Sequence, residues 1–169
     1  GLGDVYKRQL LTVTDTRTFE NDKSGAILVK KIEEAKHNLI NRKICKDDKE
    51  DIIKILKEWI NQENIDVIIT TGGTGLTGRD ITPEAIDEIA DKHIAGFGEI
   101  FRNLSLKTIG TSAIQSRACA VLAKGKYVFA LPGSSGGVTD AWDGILKYQL
   151  DINHKPCNFV ELFPRLKEK

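Results

Sequence analysis

The stretch with the most chemical potential is TTGGTGLTGRD, residues 70–80. Gly72, Gly73 and Gly75 carry no Cβ, so backbone N–H groups there can come close to a ligand. Thr74 and its neighbours add hydroxyl donors, and a helix opening at Thr82-Pro83-Glu84 adds a dipole that favours an anion. Together these features describe a phosphate-binding loop. A ligand-free strand-to-helix turn is the plainer alternative, but a turn needs one or two glycines rather than this many. The text contains G-x-G-x-x-G (Gly73, Gly75, Gly78), yet that fingerprint belongs after a first strand with its helix starting inside the glycines. It also approaches a P-loop, with Arg79-Asp80 standing where Lys-Ser/Thr is required.

Asp80 sharpens the reading. A carboxylate beside phosphates is repelled unless a cation lies between them, and Mg2+ is typically held by one or two carboxylates plus substrate phosphates. Asp47, at the end of another expected strand, can supply the second carboxylate. Other readings stay open. Asp80 could pair with Arg79 or cap the following turn. Asp47 or Asp48 could be a helix N-cap, with one of the two capping and the other facing the site.

Alternating strand and helix signals must position these residues. Strands are expected at 10–14, 38–45, 67–70 and in a hairpin over 120–131 that turns at Gly125. Helices are expected at 24–36, 46–60, from an N-cap at Thr82, at 96–106 and 111–119, and at 138–150; residues 151–169 read as a mixed tail. The result is an α/β domain with a mostly parallel sheet and one antiparallel addition. Ligands of such sheets bind beyond the carboxyl ends of the strands. That rule gathers the segments 14–23, 46–48, 70–80 and 132–137.

The chain has 169 residues, a net charge of +1 and no methionine. Its length suits one domain, 10–169, and its charge gives no basic surface for nucleic acid. No apolar run reaches a membrane span, and a cytoplasmic location is expected. Residues 1–9 read as a non-native or disordered leader. Three cysteines without a C-x-x-C pair suggest neither a disulfide framework nor zinc. His37, His93 and His154 have no metal-ligand spacing.

LTVTDTRT, DKSG, TTGGTGLTGRDITPEAI, GFGEIFR, GTSAIQSRA and FALPGSSGG, in this order, resemble the molybdenum-cofactor biosynthesis proteins of the MoaB/MogA family, and the gephyrin G domain. KPCNFVELFPRL is most like the MoaB branch. The resemblance runs from about Leu10 to the end. It implies a three-layer α/β/α fold, assembly as a homotrimer or homohexamer, and Mg2+- and ATP-dependent adenylylation of molybdopterin with release of pyrophosphate. By position it puts the catalytic, metal-holding acids on Asp47 and Asp80, and the nucleotide on Gly72, Gly73, Thr74 and Gly75. Molybdopterin would fall to Asp15, Asp22, Ser24, Gly25, Gly133 and Ser134. Ser135 replaces the second proline of the family's L-P-G-S-P-G stretch, which is expected to loosen that loop. A non-catalytic pterin or nucleotide binder and an oligomeric scaffold are the competing functions; retention of Asp47 and Asp80 favours the enzyme.

Overall fold

A computed structural model describes residues 7–169. Its sheet has six strands: β1 Lys7–Val13, β2 Asn38–Cys45, β3 Val67–Thr71, β4 Lys92–His93, β5 Cys119–Ala123 and β6 Lys126–Leu131, in spatial order β2-β1-β3-β6-β5-β4. The pairs β1–β2, β1–β3 and β3–β6 are parallel, while β4–β5 and β5–β6 are antiparallel. This is the expected mostly parallel sheet. Strand β1 starts at Lys7 rather than Leu10, with Lys7 opposite Asn38 and Arg8 opposite Val67. Of the leader read at 1–9, residues 1–6 lie outside the described residues.

Helices cover both faces, so the central strands are apolar on both sides. Val67 and Ile69 of β3 and Tyr127, Phe129 and Leu131 of β6 face a core completed by α1 (Lys23–Glu34), α4 (Ala95–Ile109) and α5 (Ser135–Ala141). Ile68, Val128 and Ala130, one residue out of phase, face α2 (Lys49–Ile60) and α3 (Thr82–Ile89). The period-2 alternation of strand side chains thus splits the interior into two cores and makes three layers.

Several expectations are corrected. The helix at 82 has Ile81, not Thr82, at its N-cap, with no side-chain cap bond; the Thr82 hydroxyl donates instead to the Gly72 carbonyl at 2.9 Å. The two short helices at 96–106 and 111–119 are one 15-residue α4 followed by a 3-10 turn, Gly110–Gln115. The break falls at Gly110, whose φ of +62° cannot continue a helix. Ser135, where a looser loop is expected, lies in a helix. It is the first residue of α5, the position where proline is favoured, behind a Ser134 N-cap that accepts from Gly137 N at 3.1 Å. The tail docks: Phe159, Phe163 and Leu166 pack on the first core, and the Tyr127 hydroxyl donates to the Phe159 carbonyl at 2.8 Å.

Candidate active site

Strand register sets the level of the site. Val13 lies opposite Cys45, Thr12 opposite Thr71, and Thr71 opposite Leu131, so four carboxyl ends finish side by side. The four polar segments that follow touch one another. Asp15 accepts from Asp47 N and from Arg79 Nη1, both at 3.1 Å. Arg17 Nη1 donates to the Gly133 carbonyl at 3.0 Å and to Ser24 Oγ at 3.1 Å. A Cβ on Gly133 would stand 3.3 Å from Gly72 Cα.

The glycines of the loop serve different ends. Gly72 (φ +100°) lets β3 leave close beside β1, since a Cβ there would lie 2.2 Å from the Val13 carbonyl. Gly73 (φ +70°) faces the acids: its Cβ would stand 2.3 Å from Thr82 Oγ1 and 3.3 Å from Asp47 Oδ1. Four consecutive loop carbonyls are held. Thr82 donates its hydroxyl to Gly72 O and its N–H to Gly73 O at 3.0 Å. Arg117 donates its N–H to Thr74 O at 2.9 Å and its Nε to Gly75 O at 2.7 Å. The guanidinium also reaches Asp80 O at 2.5 Å and pairs with Glu84. With its acceptors engaged and the N–H groups of Gly72 and Gly75 taken by Leu131 O and the Asp80 carboxyl, the loop is left to present the N–H groups of Gly73 and Thr74, which is what an anion requires.

The two neighbouring acids separate in role. Asp48 caps α2, accepting from Asp51 N at 3.0 Å. Asp47 is the one beside Gly73. Burial, then the charges of Asp15 and Asp80, push the Asp47 carboxyl above its ordinary range. At Asp80, burial acts upward, but the Thr77 hydroxyl (2.7 Å), the Thr77 and Gly75 amides and the Arg117 charge outweigh it and hold the carboxyl low. Arg79 pairs with Asp15, and Asp80 closes a turn with Thr77 that precedes it.

On the opposite wall, Asp22 is buried and committed. It caps α1 through Gly25 N at 3.1 Å and accepts from Thr12 Oγ1 at 2.6 Å and Arg42 Nη2 at 2.9 Å. A Cβ on Gly25 would collide with that carboxylate. Asp22 and Gly25 therefore anchor the wall, while Ser24 carries Arg17. The cleft itself has a volume of about 690 Å³. Gly73, Thr74, Gly75, Asp80, Gly133 and Ser134 line it, and α4 and its 3-10 extension form the far side through Phe101, Ser105, Thr108, Ser112 and Gln115.

The sequence reading gave no role to Arg17, Arg117 or this far wall. GTSAIQSRA, which contains Ser112, Gln115 and Arg117, was the available signal. None of the described histidines lines the cleft. Burial raises the Cys45 thiol to about 12, which removes it as a thiolate nucleophile.

Fold and site together define a three-layer α/β protein with a phosphate-type glycine loop facing an acidic pair. The family described as "Probable molybdopterin binding domain" matches residues 9–151. Molybdenum cofactor biosynthesis protein B of Escherichia coli (strain K12) is 42% identical over 159 residues, covering 94% of this chain and 92% of that one. A crystal structure of a Molybdenum cofactor biosynthesis protein B superposes with a TM-score of 0.87 at 39% identity over 98% of both chains. The tungsten cofactor synthesizing protein MoaB of Pyrococcus furiosus gives 0.77 at 34% identity, over 86% of this chain and 92% of that one. The chain belongs to the MoaB/MogA family of molybdenum-cofactor biosynthesis proteins. Among the described residues no helix is long and apolar enough to cross a membrane.

Proposed function

We propose that the cleft adenylylates molybdopterin. A phosphate oxygen of molybdopterin attacks the α-phosphorus of ATP, the bond from that phosphorus to the bridging oxygen breaks, and pyrophosphate leaves. No protein nucleophile is needed, because the substrate supplies one. The N–H groups of Gly73 and Thr74 would cradle the nucleotide phosphates, with Gly75 holding Asp80 beside them. The wall held by Arg17, Ser24 and Gly133 would border the pterin.

The observation that carries this reading is the placement of Asp47 at Gly73 while its neighbour Asp48 caps α2. The raised Asp47 carboxyl marks a like-charge group with Asp15 and Asp80 that a divalent cation would relieve. Among the described residues no three His, Cys, Asp or Glu are grouped to hold an ion unaided. Phosphate and water oxygens would complete the shell around Asp47 and Asp80, as Mg2+ prefers. Bound there, Mg2+ would offset charge developing on the leaving pyrophosphate.

The test measures pyrophosphate release and pterin binding side by side for Asp47→Asn, Asp80→Asn and Asp48→Asn. Turnover should fall by about 100-fold or more in the first two, from lost electrostatic stabilisation, with pterin binding retained. Asp48→Asn should lose only cap stability. Greater sensitivity at Asp48 than at Asp47 would overturn the assignment. Wild-type protein that binds both substrates without turnover would instead establish the non-catalytic binder.

A further inference from the structure

We propose that Asp140, on the far wall of the cleft, is a specificity-determining residue that reads the 2-amino-4-oxopyrimidine edge of the pterin. The inference rests on the reading of the cleft as the place where ATP meets molybdopterin, and it assigns the ring end of that substrate.

A carboxylate in a cleft suited to phosphates needs a reason to be there. Asp47 and Asp80 have one, since a divalent cation between them and the phosphates would offset the repulsion. Asp140 stands elsewhere. Helix α5 starts at Ser135, two residues after Gly133, where a Cβ would lie 3.3 Å from Gly72 Cα. The near end of α5 therefore adjoins the glycine loop. Asp140 is five residues further on, about 8 Å along the helix, and it still lines the cleft.

At that depth Asp140 meets α4. The Thr108 hydroxyl lies 3.3 Å from Asp140 Oδ2 and 3.1 Å from the Ser105 carbonyl, so its one proton is shared between two acceptors. Among the described residues no cation pairs with Asp140. The carboxylate is thus oriented by Thr108 but keeps most of its accepting capacity. Phe101 and Ile109 line the same cleft and give a flat ring an apolar surface to lie on.

The chemistry of the wall selects between the two rings that the reaction brings together. Adenine places an acceptor nitrogen beside its amino group, and that lone pair would face the carboxylate. A pterin presents two adjacent N–H donors, from N3 and the 2-amino group, which match the two oxygens of one carboxylate. Bonds from such donors to an ionised acceptor are the stronger kind. The wall therefore turns adenine away and takes the pterin, which leaves the pterin's phosphate to approach the nucleotide at the glycine loop. Guanine carries the same pair of donors, so it is the competitor to test.

Fluorescence titration of the full chain compares the phosphate esters of 6-hydroxymethylpterin and 6-hydroxymethyllumazine, which differ in carrying an amino group or a carbonyl at C2. Wild type should prefer the pterin by about tenfold or more, the loss expected for one charge-assisted contact. Asp140→Asn keeps the shape and an acceptor for Thr108 but loses the charge and the second acceptor, so it should erase that preference. Thr108→Val, at an exposed position, should reduce the preference less, and it carries the test should Asp140→Asn fail to fold. A general loosening of the wall would weaken both esters together, so an unchanged ratio in folded Asp140→Asn overturns the proposal. Guanosine monophosphate bound more tightly than the pterin ester, with the same dependence on Asp140, assigns the wall to a guanine nucleotide and also overturns it. Pyrophosphate release is read separately. A wild type that prefers the pterin without turning over keeps this inference and loses adenylylation, and one that turns over without the preference does the reverse.

Discussion

Arg117→Ala tests how the glycine loop is held. The substitution removes two charge-assisted bonds to loop carbonyls, Gly75 O and Asp80 O, and the pair with Glu84. Such bonds contribute about 1.5–3 kcal/mol each. The side chain is 32% exposed, so water recovers part of this and the low end applies. Two bonds at the low end give about 3 kcal/mol in favour of the ordered loop. The Thr82 bonds and the Arg117 N–H bond to Thr74 O remain, so the loop is loosened rather than lost. If that energy is drawn from the binding-competent population, ATP affinity falls by up to about 100-fold. Arg117→Lys keeps the charge but not the fork, so it should fall in between. ATP titration alongside thermal unfolding is the assay. Because Arg117 also helps depress the Asp80 carboxyl, that group should titrate at higher pH in Arg117→Ala. A folded Arg117→Ala protein with wild-type ATP affinity would refute the reasoning.

Gly73→Val should abolish ATP binding and lower thermal stability by about 1–2 kcal/mol, because a β-branched residue is placed at φ +70° against Thr82 Oγ1; unchanged affinity in calorimetry would count against the loop. Asp22 is held below its ordinary pKa: burial acts upward, but bonds from Thr12, Arg42 and Gly25 prevail. Its contribution is therefore complete above pH 3.8 and disappears as pH falls through the lower folded value. Asp22→Asn should cost about 2–3 kcal/mol at neutral pH and flatten the acid limb of the stability curve, measured by urea unfolding from pH 7 downward. Leu106 and Ile114, the latter 82% exposed, form an apolar face between α4 and its 3-10 extension. Light scattering should show a trimer that Ile114→Glu dissociates, and a monomeric wild type would remove that face as the contact.

Local chemistry made much of this molecule legible in the sequence. The amphipathic spacing of Ile52, Ile53, Leu56, Trp59 and Ile60 announced α2, and all five are buried. VIIT announced a strand covered on both faces, and β3 is buried throughout. The errors fall where a local signal had a second use. Thr82 has the composition of an N-cap, but its hydroxyl is drawn to the Gly72 carbonyl across the loop. The helix expected over 96–106 begins at Ala95 and runs on to Ile109, with Gly96 and Gly98 in its first turn, where a helix has few hydrogen bonds to lose. Strand β4 is two residues long, too short for any periodicity to register.

The loop shows why part of the site could not be read along the chain. Its glycines are visible as letters, but the letters do not say which one faces the ligand. Gly72 lies against the Val13 carbonyl, which belongs to a strand almost sixty residues earlier, and its N–H goes to Leu131 O. Arg117 is 42 residues from Gly75 and lies just before β5, on the antiparallel side of the sheet. Only the β3–β6–β5 order brings it under the loop. Once there, it and Thr82 occupy the carbonyls of residues 72–75 and so set the polarity of the loop. A glycine-rich segment is left to present donors when something else holds its acceptors, and here that something is an arginine that composition alone would have assigned to the surface.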